Sequence, residues 1–215
     1  MKNKSAFTLI ELVFVIIVLG ILASLAMGRM ERDLKQEASE TILSHIRLAQ
    51  QLALTDNKHR ADNNIGWQTS YWQFALKKCG DDVAYRVGSD TNFGGGVNGI
   101  GDKEGAINPI DGKYIYSKNC TNLDKDETSS VLISKKFGIK NSGIIPTGGC
   151  TKKQILFDYL GRPHSKNTSY KTNSNFVNIM TKDCNMTFTM SDGDSFSIII
   201  ENETGYSYIE GQENS

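Results

Sequence analysis

From Phe7 to Met27 the chain is apolar at almost every position, the exceptions being Thr8, Glu11, Gly20 and Ser24. Apolarity all round the axis suits a helix with no aqueous face. A run of roughly 20 residues at 1.5 Å each spans a bilayer core of about 30 Å. After Gly28 polarity rises and the apolar positions take a helical period: Leu34, Ala38, Ile42, Ala49 and Leu52, with Ile46 and Ala53 beside them. No Gly or Pro interrupts Arg29 to Thr55. The pattern predicts one continuous helix from Phe7 to Thr55, on the order of 70 Å long. Its first half is apolar all round, and its second half is amphipathic and suited to docking on a sheet. Asp56-Asn57 and the polar stretch Asp62-Asn63-Asn64-Ile65-Gly66 end it.

From Trp67 onward the runs shorten and alternate. Strands are expected at Tyr71–Lys77, Ala84–Val87, Lys113–Ser117, Val131–Ser134, Gln154–Tyr159, Met186–Met190, Phe196–Glu201 and Tyr206–Ile209, each bounded by Gly, Asn, Asp or Ser. Ser191-Asp192-Gly193-Asp194 carries the Asp-Gly hairpin signal between two alternating runs, and Asn202-Glu203-Thr204-Gly205 makes the next turn. The C-terminus therefore reads as a three-stranded antiparallel meander. The fold class is α+β: a long N-terminal helix packed by its amphipathic half on antiparallel sheet.

Glu11 breaks the apolar run, and a carboxylate in a bilayer costs about 2.5 kcal/mol or more. Lys2 and Lys4 precede the run and hold its N-terminal end on the cytoplasmic side. Everything after Gly28 is then exported. A cleaved signal peptide is one reading, with Ser24-Leu25-Ala26 as its cleavage site, but it places an acid inside the apolar core of the signal. A plain single-pass anchor is another, and it gives the acid no task.

Lys4-Ser5-Ala6-Phe7-Thr8-Leu9-Ile10-Glu11 closely resembles the processing motif of type IV pilins and type II secretion pseudopilins. The resemblance implies removal of a basic leader, residues 1–6, by a prepilin peptidase between Ala6 and Phe7, with N-methylation of Phe7. Glu11 then falls at the fifth mature position. There the family's acid pairs with the N-terminal amine of a neighbouring subunit, which gives a buried charge a buried partner. The family nearly always has Gly before the cut, and this chain has Ala6. The implied partners are other pilin or pseudopilin subunits, the prepilin peptidase, an inner-membrane assembly platform and the lipid bilayer. Residues 7–27 become the transmembrane or filament-core half of the helix, 28–56 its amphipathic half and 57–215 a β-rich periplasmic domain. More loosely, Ile46-Arg47-Leu48-Ala49-Gln50-Gln51-Leu52-Ala53-Leu54, Tyr71-Trp72-Gln73-Phe74 and Ile155-Leu156-Phe157-Asp158-Tyr159-Leu160-Gly161-Arg162-Pro163 look like the minor pseudopilins of the H type and related minor pilins.

The composition agrees with export. The 215 residues suffice for one domain beyond an anchor, and 24 basic residues balance 24 acidic ones, so net charge gives no argument for nucleic acid. Cys79, Cys120, Cys150 and Cys184 form no C-x-x-C pair, and His45, His59 and His164 are scattered, which disfavours zinc. Four cysteines behind an export anchor suit two disulfides in an oxidising compartment, the alternative being four independent buried thiols. All four lie at expected strand ends, where Cα atoms come within disulfide reach. The expected pairs are Cys79–Cys120 and Cys150–Cys184.

Other motifs weaken on inspection. Gly94-Gly95-Gly96-Val97-Asn98-Gly99 matches G-x-G-x-x-G, but the residues after it make a poor helix, so a surface loop is favoured over a dinucleotide site. Asp192-Gly193-Asp194, with Asp183 and Glu201, is too short for a calcium loop of six to eight oxygens and reads as a hairpin. Asp183-Cys184-Asn185-Met186-Thr187 matches a bacterial N-glycosylation acceptor, with Cys184 placed to hide Asn185; further Asn-x-Ser/Thr sites at Asn119, Asn167 and Asn202 are ordinary in so Asn-rich a chain. No G-x-S-x-G elbow or nucleophile–base–orienter set is present. The lysine doublets 77–78, 135–136 and 152–153, with Tyr114, Tyr116 and Tyr170 for stacking, keep open a DNA-binding minor pilin, although solvated lysines explain them and the acidic tail from Glu210 repels phosphate. The leading expectation is thus a structural minor subunit with no cofactor and no metal. A DNA-binding minor pilin and a membrane-tethered periplasmic enzyme are its rivals.

Overall fold

The computed structural model describes residues 9–58, 67, 69–91, 100–166 and 178–213, and within these the side chains of residues 25–33 and 102 lie outside the description. Helix α1 runs unbroken over Leu9–Thr55. At 1.5 Å per residue it is about 70 Å long. Thr55 closes it by donating its hydroxyl to Gln51 O at 2.9 Å, and Asp56 N donates to Leu52 O at 2.9 Å.

Two four-stranded antiparallel sheets follow. The first, in order β2-β1-β4-β5, uses β1 (Trp72–Cys79), β2 (Asp82–Gly88), β4 (Gln154–Phe157) and β5 (Pro163–His164). The second, in order β3-β6-β7-β8, uses β3 (Ile144–Gly148), β6 (Cys184–Thr189), β7 (Ser195–Ile200) and β8 (Ser207–Ile209). The fold is α+β. The C-terminal meander is β6-β7-β8, and its first turn forms at Gly193, where φ is 94° and Met190 N donates to Asp194 O at 2.8 Å.

The amphipathic half of α1 bridges both sheets. Ala38, Ile42, Ile46, Ala49 and Ala53 are buried against Phe74, Tyr85, Val87, Ile155 and Phe157 of the first sheet and Met186, Phe188, Ile198 and Ile200 of the second. The alternating burial of β6 and β7 follows the pleat, with Cys184, Met186 and Phe188 inward and Asn185, Thr187 and Thr189 outward.

The structure departs from the pattern reading at four places. The expected strand Val131–Ser134 is a 3₁₀ turn at Ser129–Val131 followed by α2 (Ile133–Phe137). Gly138, at φ 68°, caps α2 by donating its N–H to the carbonyls of Ile133 and Ser134. Three apolar residues in a row carry no period that separates helix from strand. The expected strand Lys113–Ser117 makes only isolated bridges, from Tyr114 to Ile107 and Glu127, although Ile115 is fully buried and donates to Ala106 O at 2.8 Å. Strands β3 and β5 stand where no strand was expected; each contains a proline, Pro146 and Pro163, and each lies at a sheet edge, where a missing N–H is tolerated.

Candidate functional site

The candidate site is α1, in its exposed half and in the dock that fixes the other half. From Leu9 to Leu22 every large apolar side chain is exposed, with Leu9 at 81% and Phe14 at 68%. Glu11 lies in the first turn, and Ile10, Phe14 and Val15 share its face at helical spacing. Among the described residues no helix is long and apolar enough to cross a membrane. Ala6 and Phe7 lie outside the described residues.

The docked half is tied by polar contacts as well as by its apolar stripe. Arg47 Nε donates to Ser207 O at 2.9 Å, and Gln50 Nε2 donates to Thr204 O at 2.8 Å and Gly161 O at 3.1 Å. The turns after β4 and β7 thus close onto the same helix face. Lower on α1, Glu37 pairs with Lys136 of α2 at 2.6 Å. His45 is buried and its Nδ1 lies 2.6 Å from the Tyr85 hydroxyl. Burial pushes His45 down to about 4, against the opposing pull of Asn108 and Asp111. Burial pushes the Tyr85 phenol upward.

The cysteines stand in two pairs. Cys79–Cys120 has its Cα atoms 5.9 Å apart and Cys150–Cys184 has them 4.9 Å apart. The first ties the end of β1 to the irregular segment before α2. The second ties the loop after β3 to the start of β6. Among the described residues no group of three or more His, Cys, Asp or Glu side chains is arranged to hold a metal. The carboxylates of the calcium reading have other tasks: Asp192 accepts from Asp194 N, Asp183 from Asn202 N and Glu201 from the Thr204 hydroxyl. Asn185 is half-buried on β6, a central strand paired with both β3 and β7. The G-x-G-x-x-G stretch, His59, Asn167 and Tyr170 fall outside the described residues.

The structure brings doublets 77–78 and 152–153 together, since Leu76 N donates to Lys153 O at 3.0 Å across β1 and β4. Two of these lysines are already engaged: Lys77 Nζ with the carbonyls of Ser117 and Lys118, and Lys153 Nζ with Asn141. Tyr116 is buried.

One cluster escaped the sequence reading, which left His164 as one of three scattered histidines. His164 lies on β5, 1% exposed, with Nε2 3.1 Å from Asp158 Oδ2 and its ring stacked 4.6 Å from that of Tyr71. Asp158 also accepts from Leu160 N, Arg162 N and Arg162 Nε. Burial by itself raises the Asp158 carboxyl, but hydrogen bonds from His164 and Arg162 outweigh it and hold the group below the ordinary carboxylate value. The arrangement clamps the turn that carries Gly161 against Leu54 of α1. Its one signal in the sequence was the stretch Phe157-Asp158-Tyr159-Leu160-Gly161-Arg162-Pro163, where the acid and the Arg stand four apart.

α1 thus joins an exposed apolar half that carries Glu11 to a docked amphipathic half. Residues 1–27 match the prokaryotic N-terminal methylation motif. The match supports a type IV pilin-like or pseudopilin subunit processed by prepilin peptidase, and the α+β fold is pilin-like. The methylation motif implies assembly with other pilin subunits. No curated protein and no solved structure matches the chain.

Proposed function

We propose that the chain is a minor pseudopilin or minor pilin, a structural subunit of an envelope-spanning filament of the type II secretion or type IV pilus kind. Residues 1–6 are the leader, removed between Ala6 and Phe7, and Phe7 is methylated. Residues 7–27 anchor the subunit in the inner membrane before assembly and line the filament core afterwards. Residues 28–56 carry the periplasmic domain, which extends from 57 to 215. The inner-membrane platform extrudes the subunit, and the two disulfides suit the oxidising periplasm. The role is structural rather than catalytic.

The observation that carries this reading is the methylation motif at residues 1–27 at the head of an unbroken 47-residue helix. Glu11 stands four residues after Phe7, where its charge meets the N-terminal amine of a neighbour in the filament core. Glu11→Gln keeps the shape and removes the charge. The variant is expected to insert in the membrane as the parent does, since the amide is no costlier in lipid. It should keep the folded domain and fail to enter fibres in a shearing and immunoblot assay. Fibres containing the variant at the parent's level would remove Glu11 from the assembly mechanism.

A further inference from the structure

Ile110 is 90% exposed, more than any other large apolar side chain among the described residues. Ile107 and Pro109 stand exposed on the same loop. The loop is tied down from within. Asn108 N donates to Lys113 O at 2.7 Å, and Gly112 N donates to Asn108 O at 2.9 Å. Ile110 N donates to Asn108 Oδ1 at 3.1 Å, and Asn108 Nδ2 donates to the Thr128 hydroxyl at 3.1 Å. That hydroxyl in turn donates to Asp111 Oδ2 at 2.6 Å. A buried asparagine thus holds in place an apolar tip that its own domain leaves in water.

The tip borders a groove of about 520 Å³ that runs along α1. Ser44, Leu48 and Gln51 on the outward side of the helix form its floor, and Pro109, Ile110 and Ile209 stand in its walls. Over residues 40–51 the floor is about 16 Å long at 1.5 Å per residue. The charged side chains along it are engaged within the chain: Glu40 accepts from Gln36 Nε2, and Arg47 Nε donates to Ser207 O.

These features select the occupant. A helical floor has its backbone groups satisfied, so it offers an incoming strand no ladder; an incoming helix needs only side-chain packing. That helix must be apolar where it meets Ile110 and Leu48. This protein carries one: every large apolar side chain from Leu9 to Leu22 is exposed, and that half continues without a break into the groove floor. We propose that the loop 107–110 is an assembly contact, which clamps the apolar N-terminal half-helix of a neighbouring filament subunit against Ser44, Leu48 and Gln51 of α1. The proposal rests on the filament reading and adds to it the surface of the globular domain that meets the neighbour. A tip already fixed in place loses little freedom on contact.

The test uses the full chain in native cells. The photoreactive residue p-benzoylphenylalanine is placed at position 110, fibres are irradiated and sheared, and the cross-linked peptide is sequenced by mass spectrometry. The expected partner peptide is the mature, N-methylated N-terminal segment of a filament subunit. A cross-link to a globular-domain peptide, or no cross-link from chains recovered in fibres, overturns the proposal and leaves the filament reading intact. Ile110→Asp charges the tip without touching the core and should lower recovery of the chain in sheared fibres by roughly tenfold, about 1.4 kcal/mol. Ile145→Asp puts the same charge at an exposed position on β3, outside the groove, and should enter fibres at the parent's level. Equal loss by the two variants overturns the proposal. Absence of the parent chain from fibres overturns it together with the filament reading.

Discussion

His45 makes the fold sensitive to acid in a way that can be isolated. It sits on the buried face of α1, 3% exposed, with Nδ1 2.6 Å from the Tyr85 hydroxyl. Burial pushes it from 6.5 to about 4, while Asn108 and Asp111 pull the other way without restoring it. Between these two values the unfolded chain carries a proton on His45 and the folded chain does not. The unfolded state then binds more protons, so stability falls as pH falls. Above pH 6.5 neither state binds and His45 imposes no loss. Below about 4 both bind and the loss is complete. At about 1.4 kcal/mol per pH unit the interval is worth roughly 3 kcal/mol, a large share of a typical 5–15 kcal/mol. The perturbation is His45→Gln, which fills much of the same space and does not titrate. Urea unfolding of parent and variant is compared from pH 7 to 4. Carboxylates such as Asp158 titrate in both proteins, so the difference in slope belongs to His45. The parent should lose roughly 3 kcal/mol more than the variant across this interval. Equal slopes, or an NMR titration placing His45 above 6 in the folded protein, would refute the reasoning.

Two further outcomes concern covalent and backbone constraints. Replacing Cys150 and Cys184 together by Ser releases a loop with a sequence separation of 34; by the chain-entropy estimate this costs about 4 kcal/mol, read as a lower urea midpoint. Gly205 has φ 70°, and a Cβ there meets Gln50 Nε2 and Gly161 O at 2.6 Å, whereas Gly193, at φ 94°, has nothing within 4 Å. Both Gly→Ala changes bring backbone strain of order 1–3 kcal/mol, but only Gly205→Ala also pushes α1 from its dock, so it should lower the melting temperature more than Gly193→Ala does.

Local periodicity was the legible part of this sequence. The helical spacing of Leu34, Ala38, Ile42, Ala49 and Leu52, with Ile46 and Ala53 beside them, foretold the docked face of α1, and Asp192-Gly193 with its flanking alternation foretold the β6–β7 hairpin. Both signals are local, read from residues a few positions apart. The region from Lys113 to Gly148 was read poorly because its apolar runs are too short to show a period. Ile115 is buried through single bridges rather than a ladder, and Val131-Leu132-Ile133 turns into α2 because Gly138 closes a helical turn. The split into two sheets was not legible at all, since strand order depends on which strands α1 brings together. At the candidate site, Glu11 stood out because a charge in an apolar run is anomalous. The Asp158–Arg162–His164 clamp and the Asn108–Asp111–Thr128 network under Ile110 did not, because each draws its meaning from contacts that spacing alone does not reveal.

The central claim is that residues 1–27 are processed as a prepilin. Mass spectrometry of the N-terminal peptide from native membranes tests it most directly. The account predicts a mature chain that begins at Phe7 and carries one methyl group on its amine. A chain beginning at Met27, as a signal peptidase would leave it, or one still beginning at Met1, would contradict the account.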